Sequence, residues 1–172
     1  MTILDVVLVA IACVLIDIFI DHCRANKREH DLNVDIICKE GVEIPSKRVG
    51  DAGYDLRAQV TTTIPPGEVV LVPLGIRTAY GSNLFAFLLP RSGLACKFAI
   101  TLINSPGLID SGYRNEWKAA VVNHLDEPFE IKAGDRICQA LFIEHADITF
   151  TGVKEFGNIS DRGGGFGSTG VK

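Results

Sequence analysis

The sequence has few of the features that mark a nucleic-acid coat protein, a disulfide scaffold or a zinc protein. Its 172 residues carry a formal net charge of −4, so there is no basic excess to bind a phosphate polymer directly. A local basic pocket for a small phosphorylated ligand remains compatible with this charge. The cysteines are odd in number and at least ten positions apart, which gives no zinc spacing or redox pair and indicates reduced thiols. They are Cys13, Cys23, Cys38, Cys96 and Cys138.

The composition is that of a folded protein of one domain. Apolar residues make up 47% of the chain and charged residues 22%, which excludes general disorder. Glycine is unevenly distributed, because five of the 17 glycines fall within residues 163–170. We therefore expect a distinct glycine-rich tail at the C-terminus.

Residues 3–20 form an apolar run of eighteen residues that only two aspartates interrupt. As a helix it would be about 27 Å long, close to the bilayer hydrocarbon thickness of about 30 Å. The positive charges of Arg24, Lys27 and Arg28 follow the run and would keep the downstream chain on the cytoplasmic side. A cleaved signal peptide fits poorly, since no positive residue precedes the run. We expect a cytoplasmic protein with a membrane-anchoring helix; a buried or oligomer-forming helix and a dispensable extension are the alternatives.

From residue 32 onward, short apolar or alternating runs are separated by turn residues. These runs lie at residues 32–39, 69–74, 84–89, 117–122, 129–131 and 137–143. Gly134 and Asp135 predict a hairpin turn, and residues 94–103 contain no breaker and are compatible with a short helix. Many short strands at intervals of about 8–12 residues, with almost no helical periodicity, predict an all-β sandwich or barrel.

Five polar clusters interrupt this pattern. Taken singly, each has a structural explanation: a turn entering a strand, a loop capping a helix with Ser92 as N-cap, a β-hairpin, a hairpin leading into a core strand, and a frayed terminus. The clusters are residues 51–57 (DAGYDLR), 90–95 (PRSGLA), 107–114 (GLIDSGYR), 134–139 (GDRICQ) and 162–170 (RGGGFGSTG).

In this order and spacing, the five clusters together resemble the five motifs of the trimeric dUTPase family. The resemblance implies an all-β, β-clip or jelly-roll-like barrel of short strands with a flexible glycine-rich C-terminal tail, in addition to the N-terminal apolar helix. It divides the chain into an apolar helix and basic linker (1–30), a β-domain (31–160) and a C-terminal lid (161–172). It also implies hydrolysis of dUTP to dUMP and pyrophosphate, which limits uracil incorporation into DNA and supplies dUMP for thymidylate synthesis.

Hydrolysis at the α-phosphorus needs an in-line water, a base, and donors and metal that hold the developing charge. The resemblance assigns Asp110 as the base and gives Asp55 a role in supporting Mg²⁺ through water. Arg91 and Ser92 supply a bidentate cation and a hydroxyl, which the resemblance places on the triphosphate, and Gly93 allows close backbone approach. Because Mg²⁺ keeps several waters and is often held by the substrate's phosphates, we expect no side chain to ligate it directly.

The third cluster would select the base and the sugar. Backbone N–H and C=O groups can pair with the uracil edge, and a wrong base leaves buried polar groups unpaired. By resemblance Tyr113 lies under the deoxyribose and leaves no room for a 2′-hydroxyl. The uracil site implied by the resemblance is lined by Asn104, Gly107, Leu108, Ile109 and Lys118, the last two largely through their backbone.

The glycine-rich sequence of the tail is more typical of a lid that closes over bound nucleotide than of a segment packed in a core. Its glycines can offer free N–H groups to phosphates, and a tail that orders over the ligand excludes water. In the family the tail closes over a site shared between subunits, which implies a homotrimer, and the resemblance has Gln139 position the phosphates or the tail. The tail residues assigned to the substrate are Arg162, Phe166, Gly167 and Ser168.

The sequence departs from the family pattern at three positions. Asn115 stands where glycine is usual, Gly112 where many members have an acid, and Phe98 where a small or polar residue is common. Asn tolerates a positive φ better than most residues, so the predicted hairpin is retained.

Three alternatives to this hypothesis are a related enzyme, a nucleotide sensor and a scaffold. The related dCTP deaminases resemble the chain but need a glutamate at the position of Ala120, which cannot transfer a proton. A nucleotide sensor would bind dUTP and alter a surface without needing turnover. A membrane-tethered scaffold rests only on residues 3–20.

Overall fold

The structure, a computed structural model, describes residues 16–17 and 32–157. Ile16 and Asp17 are helical. The rest of the predicted N-terminal helix and the predicted lid at residues 161–172 lie outside the described residues.

Eleven short strands and one short helix make up residues 32–157. Their bounds are β1 Val34–Cys38, β2 Tyr54–Arg57, β3 Thr62–Ile64, β4 Val69–Pro73, β5 Ile76–Tyr80, β6 Leu84–Pro90, α1 Ser92–Phe98, β7 Ile100–Leu102, β8 Gly107–Asp110, β9 Lys118–Asn123, β10 Phe129–Ile131 and β11 Arg136–Glu144. The predicted all-β class is therefore confirmed. No helix within the described residues has the length and apolar character needed to span a membrane.

The strands pair in an antiparallel manner into four sheets. The largest has the order β2-β11-β6-β8 and the second the order β4-β9-β7, while β1 pairs with β5 and β3 with β10. Each of these sheets has two end strands and does not close on itself. The hydrogen bonding therefore confirms the β architecture, and the closed barrel stays a prediction.

One hydrophobic cluster joins the four sheets. Strand β9 contributes strongly to this cluster. Its first residues alternate between more exposed and buried positions, and its last three residues are all buried. Trp117, the residue just before β9, has 1% of its surface exposed, and β-branched and aromatic side chains pack well on a pleated surface. The largest fully buried side chains are Trp117, Ile64, Leu74, Ile131, Val72, Val121, Asn123 and Cys138.

Two predicted hairpins are wrong, because the strands on either side of each turn belong to different sheets. Gly134 and Asp135 do form a turn, but β10 pairs with β3 whereas β11 pairs with β2 and β6. Likewise β8 pairs with β6, and β9 pairs with β4 and β7. Residues 104–118, called the β8–β9 segment below, thus cross from one sheet to another.

Residues 94–103 contain both a helix and a strand. Helix α1 ends at Phe98 and is capped by Ala99, which has a φ of 47° and donates its N–H back to the carbonyl of Ala95. Strand β7 follows at once. The N-cap is Arg91 rather than the expected Ser92, and no side chain caps the helix. The hydroxyl of Ser92 is therefore not used in capping.

Asn123 connects the end of β9 to two neighbouring segments from a fully buried position. Its Nδ2 donates to the carbonyls of Ile64 at 3.0 Å and Glu127 at 2.8 Å. Its Oδ1 accepts from the N–H of Leu125 at 2.8 Å. Since 0% of its surface is exposed, water cannot replace these partners.

Replacing Asn123 with alanine leaves these backbone groups unpaired in the interior. We expect Asn123→Ala to lower the free energy of unfolding by about 2–4 kcal/mol, measured by urea denaturation. Asn83→Ala is the matched control, because the Asn83 amide bonds Glu144 in an exposed position and its loss should cost less than about 0.5 kcal/mol. Equal stabilities of the two variants would contradict this view of Asn123.

Candidate functional site

A cleft of about 690 Å³ lies between the β1–β2 loop, the start of α1 and strand β11. Its volume is within the range of about 300–1,000 Å³ typical of small-molecule sites. Five residues that the sequence analysis assigned to the phosphates or the metal line it together. They are Asp55, Arg91, Ser92, Gly93 and Gln139.

The cleft is basic although the whole chain is acidic. Its lining carries five cationic side chains and three carboxylates, a formal excess of two positive charges. The carboxylates belong to Glu43, Asp51 and Asp55, and the cations are Lys47, Arg48, Arg57, Arg91 and Arg136. Such a local excess favours an anionic ligand of several charges.

The carboxylate of Asp55 holds two arginines in place. Oδ1 accepts from Nε of Arg91 at 2.9 Å, and Oδ2 accepts from Nη1 of Arg136 at 3.0 Å. Nη1 of Arg91 also donates to the backbone carbonyl of Arg136 at 3.2 Å. With both oxygens of Asp55 engaged, the two guanidinium groups are fixed at the edge of the cleft, ready for further acceptors.

Arg136 is a site residue that the sequence analysis missed. It belongs to the same sequence cluster as Gln139. A positively charged residue three positions before Gln139, which was assigned to the phosphates, was the signal that could have identified it. Its contact with Asp55 needs the pairing of β2 with β11, in which Gln139 lies opposite Asp55.

Gln139 and Gly53 fit each other closely. The Nε2 of Gln139 donates to the carbonyl of Pro90 at 3.1 Å, which fixes the residue before Arg91. A Cβ on Gly53 would lie 2.5 Å from Oε1 of Gln139, so a larger residue there would displace the Gln139 amide. The neighbouring Cys138 is buried, and burial, followed by the charge of Asp55, raises the pKa of its thiol to about 12. That thiol stays protonated and is not a nucleophile.

The remaining described site residues lie on the β8–β9 segment. Asn104 packs against Gly107, where a Cβ would approach Nδ2 of Asn104 to 3.1 Å. The hydroxyl of Tyr113 donates to the carbonyl of Glu116 at 3.3 Å, and its N–H bonds the carbonyl of Asp110 at 3.0 Å, which closes the turn. The predicted residues brought together here are Asn104, Gly107, Leu108, Ile109, Asp110, Tyr113 and Lys118.

The two groups of residues are well separated in one chain. Asp110 pairs with Phe85 near the start of β6, whereas Arg91 follows Pro90 at its end. Five residues at about 3.3 Å each place Phe85 and Pro90 about 17 Å apart. Asp110 and Arg91 of one copy therefore lie far apart along β6. The assigned tail residues Arg162, Phe166, Gly167 and Ser168 lie outside the described residues.

The fold and the cleft together define a β protein with a basic cleft whose charge favours an anionic ligand. This class is narrowed by comparison with known proteins. The dUTPase family model matches residues 39–170, a span that includes both the cleft and the β8–β9 segment. The chain belongs to the dUTPase family.

Relatives and solved structures agree with this family. The deoxyuridine 5'-triphosphate nucleotidohydrolase of Rhizobium rhizogenes is 47% identical over 139 residues, which cover 76% of this chain and 87% of the relative. The dUTPase structure from Streptococcus mutans, 29% identical, superimposes with a TM-score of 0.64 over 69% of this chain and 99% of its own. A Staphylococcus bacteriophage 80alpha dUTPase with dUpNHpp, 22% identical, shares the fold with a TM-score of 0.75 over 81% of this chain and 99% of its own.

Proposed function

We propose that the protein hydrolyses dUTP to dUMP and pyrophosphate in the cytoplasm, which limits uracil incorporation into DNA and supplies dUMP for thymidylate synthesis. The observation that carries this proposal is the basic cleft in which Asp55, Arg91, Ser92 and Gln139 meet inside the span matched by the family. A relative 47% identical bears the name of this activity.

The cleft binds the triphosphate. Asp55 fixes the guanidinium groups of Arg91 and Arg136, so little side-chain freedom is lost when phosphate oxygens bind them. The exposed Ser92, whose hydroxyl does not cap the helix, adds a donor, and the exposed Gly93 leaves room for a phosphate beside the backbone. Gln139 keeps the Pro90 carbonyl, and hence Arg91, in position.

The carboxylate of Asp55 suits an Mg²⁺ ion that binds together with the substrate and is held largely by its phosphates. Within residues 32–157 no group of three or more His, Cys, Asp or Glu side chains could hold a metal ion. Both oxygens of Asp55 accept from arginines, which favours a role for Asp55 in which it would support the ion through water. When bound with the substrate, Mg²⁺ would supply positive charge that stabilises the phosphate oxygens.

Asp110 is the base that takes a proton from the attacking water. It is exposed at the end of β8, where the carboxylate can receive a water held near the α-phosphorus. A positioned base of this kind contributes about 10²–10⁴-fold to the rate. Next to it, the backbone of the β8–β9 segment reads the uracil edge, and the partly exposed ring of Tyr113, fixed through its hydroxyl, lies under the deoxyribose.

The active site is composed of residues from different copies in a homotrimer. The distance of about 17 Å between Phe85 and Pro90 on β6 keeps Asp110 of one copy from the phosphates held by Arg91 of the same copy. A base must lie within about one water of the atom it acts on. A ring of three copies, each presenting its β8–β9 segment to a neighbour's cleft, satisfies both conditions with closed symmetry.

Exposed apolar surface supports this assembly. On β4, the side chain of Leu71 is 60% exposed, and Leu108 on β8 is 57% exposed. Beyond β11 the chain continues without helix or strand to residue 157, and Phe150 and Phe156 there are 93% and 88% exposed. These apolar side chains are available for contacts with other copies, where burial would stabilise the assembly.

The last residues complete the site as a lid. We propose a division into residues 1–30, 31–160 and 161–172, in which the last part closes over the bound nucleotide. Arg162 and Ser168 would bond phosphates, Gly167 would offer its N–H, and Phe166 would stack on the base. The glycine-rich sequence favours such a role, because free N–H groups suit phosphate oxygens.

Pyrophosphate release by residues 31–172 with Mg²⁺ tests the reaction. We expect release from dUTP and at least about 100-fold less from dCTP, dTTP and UTP, because a mismatched base leaves buried polar groups unpaired. Asp110→Asn should bind dUTP but lower kcat by about 10²–10⁴-fold.

The control is Asp126→Asn, an exposed carboxylate on the loop after β9, which should leave the rates unchanged. Normal turnover by Asp110→Asn would remove Asp110 as the base. A folded wild-type protein that binds dUTP and releases no pyrophosphate would favour a nucleotide sensor.

We further propose that residues 3–20 anchor the protein to a membrane with the β-domain on the cytoplasmic side. The support is the eighteen-residue apolar run followed by Arg24, Lys27 and Arg28. The full chain should sediment with membranes and resist extraction by 1 M salt, a concentration at which surface electrostatics are screened within about 3 Å. Residues 31–172 should stay in the supernatant. A full chain found only in the supernatant would exclude the anchor.

A further inference from the structure

Strand β5 (Ile76–Tyr80) makes hydrogen bonds to the β8–β9 segment through its first, third and fifth residues. The contacts join the base and sugar segment to a different sheet from the one that contains β8. They are Trp117 N–H to the Ile76 carbonyl at 2.9 Å, Arg114 Nη1 to the Thr78 carbonyl at 3.4 Å, and the Tyr80 hydroxyl to the Ile109 carbonyl at 2.9 Å.

Tyr80 makes the contact that lies next to Asp110. It is 9% exposed, and its ring packs edge-on against Phe142 with the centroids 5.4 Å apart. Burial raises the pKa of Tyr80 to about 12, with a further contribution from the carboxylate of Asp110 and an opposing one from Arg114. The hydroxyl is thus protonated at neutral pH and faces the neighbourhood of Asp110 as a permanent donor.

Strand β8 needs such an anchor because it is the end strand of its sheet. Among the described residues it pairs only with β6, over four residues, and the chain leaves the sheet after Asp110. Residues at the end of an edge strand fray unless another group holds them. The Tyr80 hydroxyl bonds the carbonyl of Ile109, the residue immediately before Asp110.

We propose that Tyr80 is a positioning residue. Its hydroxyl holds the carbonyl of Ile109 and thereby keeps the adjacent Asp110 in the position from which it can contact the attacking water. The inference rests on the proposed function for the role of Asp110 as the base. Tyr80 touches neither the substrate nor the water, and it acts through the backbone. A displacement of about 1 Å at a reacting group is enough to cost about 10²-fold in rate.

Tyr80→Phe removes the hydroxyl and keeps the ring. We expect kcat for dUTP to fall by about 10–100-fold while KM changes far less, since the phosphate cleft at the other end of β6 is untouched. Amide hydrogen exchange at residues 107–114, measured without nucleotide, should become faster because the segment loses an anchor.

Tyr54→Phe is the matched control. The Tyr54 ring also packs edge-on against Phe142, with the centroids 6.3 Å apart, but its hydroxyl makes no hydrogen bond to the β8–β9 segment. It should keep kcat within about twofold of wild type and leave the exchange of residues 107–114 unchanged.

Other outcomes would contradict the positioning role of Tyr80 or the proposed function. A kcat of Tyr80→Phe within about twofold of wild type, or an equal loss in Tyr54→Phe, removes the positioning role. A lower kcat without faster exchange also contradicts it. If the wild-type protein releases no pyrophosphate from dUTP, the proposed function fails, and the exchange measurement alone decides whether Tyr80 anchors the segment.

Discussion

The antiparallel pairing of β6 with β8 sets the distance on which the whole site depends. It places Asp110 beside Phe85 near one end of β6 and Arg91 just past the other end. A strand cannot shorten, so the separation of about 17 Å is built into the sheet. In the proposed function, each copy therefore carries two half-sites that face different neighbours. Assembly is then a requirement of the proposed chemistry and not only a source of stability.

Within each half-site, a buried or partly buried group fixes the functional one. Asp55 fixes the arginines of the basic cleft, and Gln139 fixes the chain before Arg91. Strand β5 does the same for the β8–β9 segment through its backbone and through Tyr80. Preorganised donors of this kind cost little reorganisation when charge develops on a phosphate.

The sequence predicted the β class and the strands with clear apolar patterns, because alternation and turn residues are local signals. It also predicted the membership of the cleft, since Asp55, Arg91 and Gln139 lie in recognisable clusters. The two hairpins were wrong because turn residues do not reveal which sheet the next strand joins. Arg136 and Tyr80 were missed for the same reason: their partners lie 81 and 29 residues away and meet them only after the sheets form.

Subunit complementation tests the shared site most directly. Asp110→Asn and Arg91→Gln are each expected to be inactive, and co-refolding them in equal amounts produces mixed trimers. A site is intact when the copy that supplies the cleft is the Asp110→Asn variant and the copy that supplies the base is the Arg91→Gln variant. Each condition holds in half of the cases, so we expect recovery of about one quarter of wild-type dUTP hydrolysis. No recovery above the separate variants, in trimers shown to be mixed, would contradict a site shared between copies.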